Sequence, residues 1–207
     1  TSITGDVGSG QTTGTTKTIT WDAGADFGTG YESDMRVRVR ATDEFTNLGD
    51  YTSSTDFVLD KANPVVTNVT SAQSGSSNNV VITYDLADDT SSSLTVELDI
   101  SEDSGSTWSV TDTSVTGDVG SGQTTGTTKT ITWDAGADFN GNYEEDMRVR
   151  VRASDNYNNQ GDNTESTDFT LDTLNPVVSN VSAVQGAGTT DVTVTYDLSD
   201  NNTTGLT

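Results

Sequence analysis

The sequence predicts an all-β chain built of tandem two-sheet sandwiches, and three observations carry that prediction. Residues 1–95 align on 113–207 at a constant offset of 112, with no gaps. Within the repeat, apolar and polar residues alternate with a period of two, and no stretch carries a convincing helical period. Turn signals separate the alternating runs, the pattern of a layered antiparallel fold.

The repeat sets the expected domain organisation. Residues 5–27 recur unchanged at 117–139, DMRVRVRA at 34–41 recurs at 146–153, and NPVV at 63–66 recurs at 175–178. A period this long is a whole domain rather than one turn of a solenoid. Asn63-Pro64 and Asn175-Pro176 follow strand-like runs ending at Asp60 and Asp172, and they read as linkers. The chain therefore divides into the C-terminal part of one repeat (1–64), a complete repeat (65–176) and the N-terminal part of the next (177–207). Half a sandwich cannot bury its core. Joining 177–207 to 1–64 would omit the stretch equivalent to 96–112, which carries a central strand. The chain reads as a window cut from a longer array.

About seven strands are expected in the complete repeat. The first lies near Val65–Val69. Val80, Ile82, Tyr84 and Leu86 then share one face, with Val81, Thr83 and Asp85 opposite. Leu94, Val96, Leu98 and Ile100 alternate with Thr95, Glu97 and Asp99, and a short strand is expected near Trp108–Val110. Ile131 and Trp133 alternate with Thr130 and Thr132. Met147, Val149, Val151 and Ala153 alternate with Arg148, Arg150 and Arg152, and Phe169 and Leu171 with Asp168 and Thr170. Trp133 and Trp108 are expected between the sheets, among Ile82, Leu98 and Val149. The three arginines should form cross-strand ion pairs with Glu97, Asp99 or Asp168, each worth about 0.2–1 kcal/mol.

Composition narrows the function. The 207 residues carry 32 acids against 9 bases, a formal net charge of −23, with 30% hydrophobic content. A nucleic-acid binder would need a basic footprint, and an anionic membrane surface would repel this chain. No apolar run approaches the roughly 20 residues of a membrane span, and the opening residues do not read as a signal peptide. With no histidine and no cysteine, thiol catalysis, histidine triads, structural zinc and disulfides are excluded. Paired carboxylates could serve a glycosidase only in a cleft, and these acids sit in loops or alternate on strand faces.

The order YDL…LTVELDISEDSGSTW…KTITWDAG…MRVRVRASD…FTLD…NP resembles the fibronectin type III-like, immunoglobulin-like modules strung in tandem through large prokaryotic surface and secreted proteins. The resemblance spans the chain and rests most on Ile131-Thr132-Trp133, the R-V-R-V-R-A strand and the junction Asp172-x-x-Asn175-Pro176. It implies seven-stranded sandwiches of about 112 residues in an extracellular or cell-surface, non-catalytic setting. Such a segment would serve a stalk, adhesin or filament, with neighbouring repeats and other copies as partners. The alternatives are a glycan- or protein-binding module and an accessory module of a secreted hydrolase.

Several strings have local chemistry. SEDSGSTW at 101–108 is similar to the Asp box of sialidase propellers, where it shapes a hairpin; Asp103 would bond its own turn and Gly105 would take a positive φ. Asn68-Val-Thr70 and Asn180-Val-Ser182 are N-glycosylation sequons at equivalent positions. The acidic loops are the candidate binding chemistry. In a fibronectin-like sandwich, the loop after the second strand and the loop before the last share the pole nearest the preceding domain. These loops carry Asp85, Asp88 and Asp89, and Asp155, Asn159 and Asp162; the linker adds Asp60. The loop after the tryptophan strand of the preceding repeat would add Asp22, Asp26 and Asp34. Nine carboxylates with only Lys61 as a local base repel one another unless a hard cation such as Ca²⁺ joins them.

Overall fold

The computed structural model describes residues 2–75, 77–90 and 92–201. Residues 2–60 hold β1 (Ile3–Gly5), β2 (Ile19–Trp21), the helical turn α1 (Ala23–Asp26), β3 (Tyr31–Met35), β4 (Arg38–Val39), β5 (Thr52–Ser53) and β6 (Phe57–Asp60). The central segment follows with β7 (Val65–Gln73), β8 (Asn79–Ala87), β9 (Leu94–Ser101), β10 (Val115–Gly117), β11 (Gly120–Gln123) and β12 (Gly126–Asp134). It continues through the turn α2 (Ala135–Asp138), β13 (Tyr143–Ser154), β14 (Thr164–Glu165) and β15 (Phe169–Asp172). A final hairpin pairs β16 (Val177–Gln185) with β17 (Val192–Ser199). The chain is all-β and every strand pairing is antiparallel.

The central segment is a pair of sheets around one core. One sheet runs β10-β12-β8-β7; the other runs β11-β9-β13-β14, with β15 also on β13. Alternation drives this arrangement. Ile82, Tyr84 and Leu86 from the first sheet meet Leu94, Val96, Leu98, Val149 and Val151 from the second, all buried. Trp133 is fully buried at the centre. Its indole N–H donates to Asp138 Oδ2 at 3.0 Å. The same carboxylate accepts from Ser114 N at 2.8 Å and Thr113 Oγ1 at 3.0 Å, so the short α2 turn anchors the tryptophan strand. Asp134 caps that turn by accepting from Ala137 N.

The outward face carries the arginine ladder. Arg148 pairs with Asp168 at 2.7 Å and Glu165 at 3.1 Å, Arg150 with Asp99 at 2.8 Å, and Arg152 with Glu97. Register explains it: Arg150 lies opposite Asp99 and Arg152 opposite Glu97.

Trp108 departs from the expectation of core burial. It is only partly buried and lies on the outer face, with the Arg150 guanidinium 4.4 Å from its ring centroid. The Asp-box turn directs it there. Asp103 accepts from Thr107 N and Thr107 Oγ1, Ser101 Oγ accepts from Gly105 N, and Gly105 adopts φ +86°. The turn thus ends β9 before Trp108, and the expected strand near Trp108–Val110 reduces to one bridge, Ile100 to Val110.

Candidate metal centre

Three loops converge where the linker meets the central segment. Asp60 closes β6, Asp88 follows β8, and Asp155 follows β13. One carboxylate oxygen from each lies within 4.8 Å of the others. Asp60 and Asp155 are 5% and 8% exposed, so two of the three charges are withdrawn from water. Carboxylates buried this close together are costly unless a positive charge balances them. Lys61, the base in the linker, points elsewhere: its ammonium donates to Gly24 O at 2.9 Å.

Local hydrogen bonds fix each ligand. Asp60 Oδ1 accepts from Ala62 N at 2.9 Å, and its Oδ2 accepts from the Thr90 hydroxyl. Asp155 Oδ1 accepts from the backbone N–H groups of Tyr157 and Asn159, both at 2.8 Å. Asn159 Nδ2 donates to Asp155 Oδ2 at 2.8 Å and to the Asp60 carbonyl at 3.2 Å, tying loop to linker. Asp88 Oδ2 accepts from Thr90 N at 3.3 Å. Beside the centre, Thr164 Oγ1 donates to Val66 O at 2.7 Å. At Gly161 a Cβ would stand 2.1 Å from Pro64 O, so only glycine lets the linker approach.

The other expected ligands lie outside this cluster. Asp85 is on the outward face of β8, where it accepts from Asn68 Nδ2 and Thr128 N, both at 2.7 Å. Those bonds hold its carboxyl below the ordinary carboxylate range. Asp89 is exposed, and Asp162 lines a groove with Asn63, Pro64 and Val66. Asp22 caps α1 by accepting from Ala25 N, and Asp26 accepts from Ser2 N and Trp21 Nε1. Asp34 is an exposed residue of β3. The structure thus gathers Asp60, Asp88 and Asp155, with Asn159 alongside. The Thr90 hydroxyl was not anticipated; its signal was its place two residues beyond Asp88.

An all-oxygen, anionic donor set suits a hard divalent cation rather than a soft metal. No protein-family model, curated protein or solved structure matches the chain.

Proposed function

We propose that this chain is a structural segment of an extracellular or cell-surface fibre, as a stalk, adhesin or filament. Its units are tandem fibronectin type III-like sandwiches of about 112 residues, non-catalytic, with calcium bound at the joints. One observation carries the reading: Asp60 of the linker shares a cluster within 4.8 Å with Asp88 and Asp155 of the segment that follows. A cation held there would connect the linker to two loops at once and convert repulsion into attachment.

Calcium titration by calorimetry on metal-stripped protein tests this. Saturable binding is expected with Kd of about 10⁻⁴–10⁻³ M, the range of extracellular modules. Asp88→Asn and Asp155→Asn should each weaken it at least about tenfold. Binding that is absent, or indifferent to both substitutions, contradicts the reading. A second reading, a glycan- or protein-binding module, draws on Phe45 and Tyr157, equivalent loop residues 74% and 49% exposed. Ligand capture lost in Tyr157→Ala, with calcium binding intact, would favour it.

A further inference from the structure

The first and last strands of the central segment meet along a seam between its two sheets. β7 forms the edge of one sheet, while β14 and β15 run along β13 in the other. β7 lies against both β14 and β15, yet among the described residues no strand pairing joins them. Side chains cross the seam instead. Thr164 Oγ1 donates to Val66 O at 2.7 Å, and Ser71 Oγ donates to Ser166 Oγ at 3.0 Å. Gln73 bonds Asp172 through both atoms of its amide: Nε2 donates to the Asp172 carbonyl at 2.8 Å, and Oε1 accepts from the Asp172 N–H at 2.9 Å. The amide thus satisfies both backbone groups of Asp172, as a paired strand residue would.

We propose that this seam is a latch against tension along the chain, with Gln73 as its main positioning residue. This rests on the fibre reading and names the device that lets a unit keep its strands when stretched. Partners advance together along the two strands, Val66 with Thr164, Ser71 with Ser166 and Gln73 with Asp172. β7 and the stretch 164–172 therefore run parallel, and the linkers before Val65 and after Asp172 leave at opposite poles.

Geometry decides how such a seam meets a pull. Tension draws β7 toward its start and β15 toward its end, which on parallel strands are opposite directions. The seam is loaded in shear, so its bonds stretch together rather than opening one at a time. Burial of the core is non-directional and lets one sheet slide on the other. Hydrogen bonds depend on distance and angle, and they resist that slide. Both ends of the latch are anchored. Gln73 Nε2 also donates to Ser77 O at 3.0 Å, which fixes the amide. Ser166 is 6% exposed; its hydroxyl accepts from Val149 N at 3.2 Å and donates to Thr167 O at 2.8 Å, so the seam is tied into the second sheet.

The bonds across the seam join residues 95–99 positions apart. While they hold, nearly the whole segment is shielded from tension. Their rupture exposes residues 65–172 to the pull and releases about 300–350 Å of chain.

Single-molecule stretching of the full 207-residue chain, in chelator, is the test. The sequence has no cysteine, so two introduced thiols define the points of attachment. Asn63→Cys with Leu174→Cys loads the seam in shear. Asn78→Cys with Leu174→Cys pulls at the pole that holds Gln73 and Asp172, and peels the seam open. The first pair should withstand the higher force. At constant force, Gln73→Ala should speed unfolding about tenfold in shear and less than about threefold when peeled, through loss of its bonds to Asp172. Thr164→Val, at the other pole, should act in the same direction in shear. A Gln73 that merely stabilised the fold would accelerate both pulls alike. Equal acceleration in the two geometries, or none in shear, overturns the proposal. Because one chain is pulled without calcium, that failure is separate from failure of the fibre reading, which calcium titration tests.

Discussion

Residues 117–139 and 5–27 are the same string in two settings. In the central segment Ile131 and Trp133 are fully buried, with β8 alongside and the second sheet above. Among the described residues, β2 pairs with β1 alone, and Ile19 is 39% exposed. The helical turns survive in both places, as does the indole bond to an aspartate, Trp133 to Asp138 and Trp21 to Asp26. Local hydrogen bonding is thus written in the string, while burial belongs to the partner strands. The arginines show the same division. Arg148, Arg150 and Arg152 find carboxylates on β9 and in the segment 165–168. Arg36 keeps its partner Asp56, but Arg38 and Arg40 rest over the Tyr51 ring instead, 4.2 and 4.4 Å from its centroid.

The largest break in this comparison should come from the tryptophans. Trp133→Ala should cost about 3–5 kcal/mol, enough to unfold a marginal sandwich. Trp21→Ala should shift the main denaturation transition by less than about 0.5 kcal/mol. Equal losses in urea melts would mean that the two settings are energetically alike.

Next come the equivalent glycines. Gly161→Ala sets a methyl against Pro64 O and should cost about 1–3 kcal/mol through displacement of the linker. Gly49→Ala meets only Ala41 O, at 3.2 Å, and should be near neutral. Melting temperatures of the two variants decide it.

Acid acts on local bonds that the two copies share, since Asp26 and Asp6 are lowered as Asp138 and Asp118 are. Burial opposes ionisation of Asp138, but bonds from Ser114, Trp133 and Thr113 outweigh it and hold its carboxyl below the ordinary value. Asp118 is lowered by Thr130 N and Lys129. A depressed folded pKa means stability that is present above the unfolded value, about 3.9, and lost as pH falls through the folded value. The melting temperature should therefore drop below about pH 4. Asp138→Asn should flatten that drop, and an unchanged acid limb would contradict the assignment.

The smallest effect belongs to the ladder. Arg152→Ala should cost about 0.2–1 kcal/mol, less at high salt, and Arg40→Ala should cost less still.

Much of the sandwich was legible because period-two alternation also dictates facing. Ile82, Leu98, Trp133, Val149 and Val151 follow it into the core. The helical turns escaped notice because four residues carry no period, although Asp134 and Asp22 are ordinary caps. Trp108 departs from the expected core position because the short strand expected near Trp108–Val110 is a single bridge at Val110, and the turn before it sets the ring against Arg150. The same rule could have removed Asp85 from the ligand set, since it shares the outward face of Val81 and Thr83. Asp22 and Asp26 lie apart from the cluster, Asp22 capping α1 and Asp26 accepting from Ser2 N and Trp21 Nε1, contacts that depend on local turns the alternation does not report.

The proposed cation at the acidic joint would act on the whole chain's dimensions. Small-angle scattering of the full chain, in calcium and then in chelator, tests it most directly, with the melting temperature followed alongside. Calcium should narrow the range of conformations, fix the maximum dimension and raise the melting temperature. Asp88→Asn should remove all three responses. Identical scattering and melting with and without calcium would contradict it, leaving Asp60, Asp88 and Asp155 as an acidic cluster without a cation.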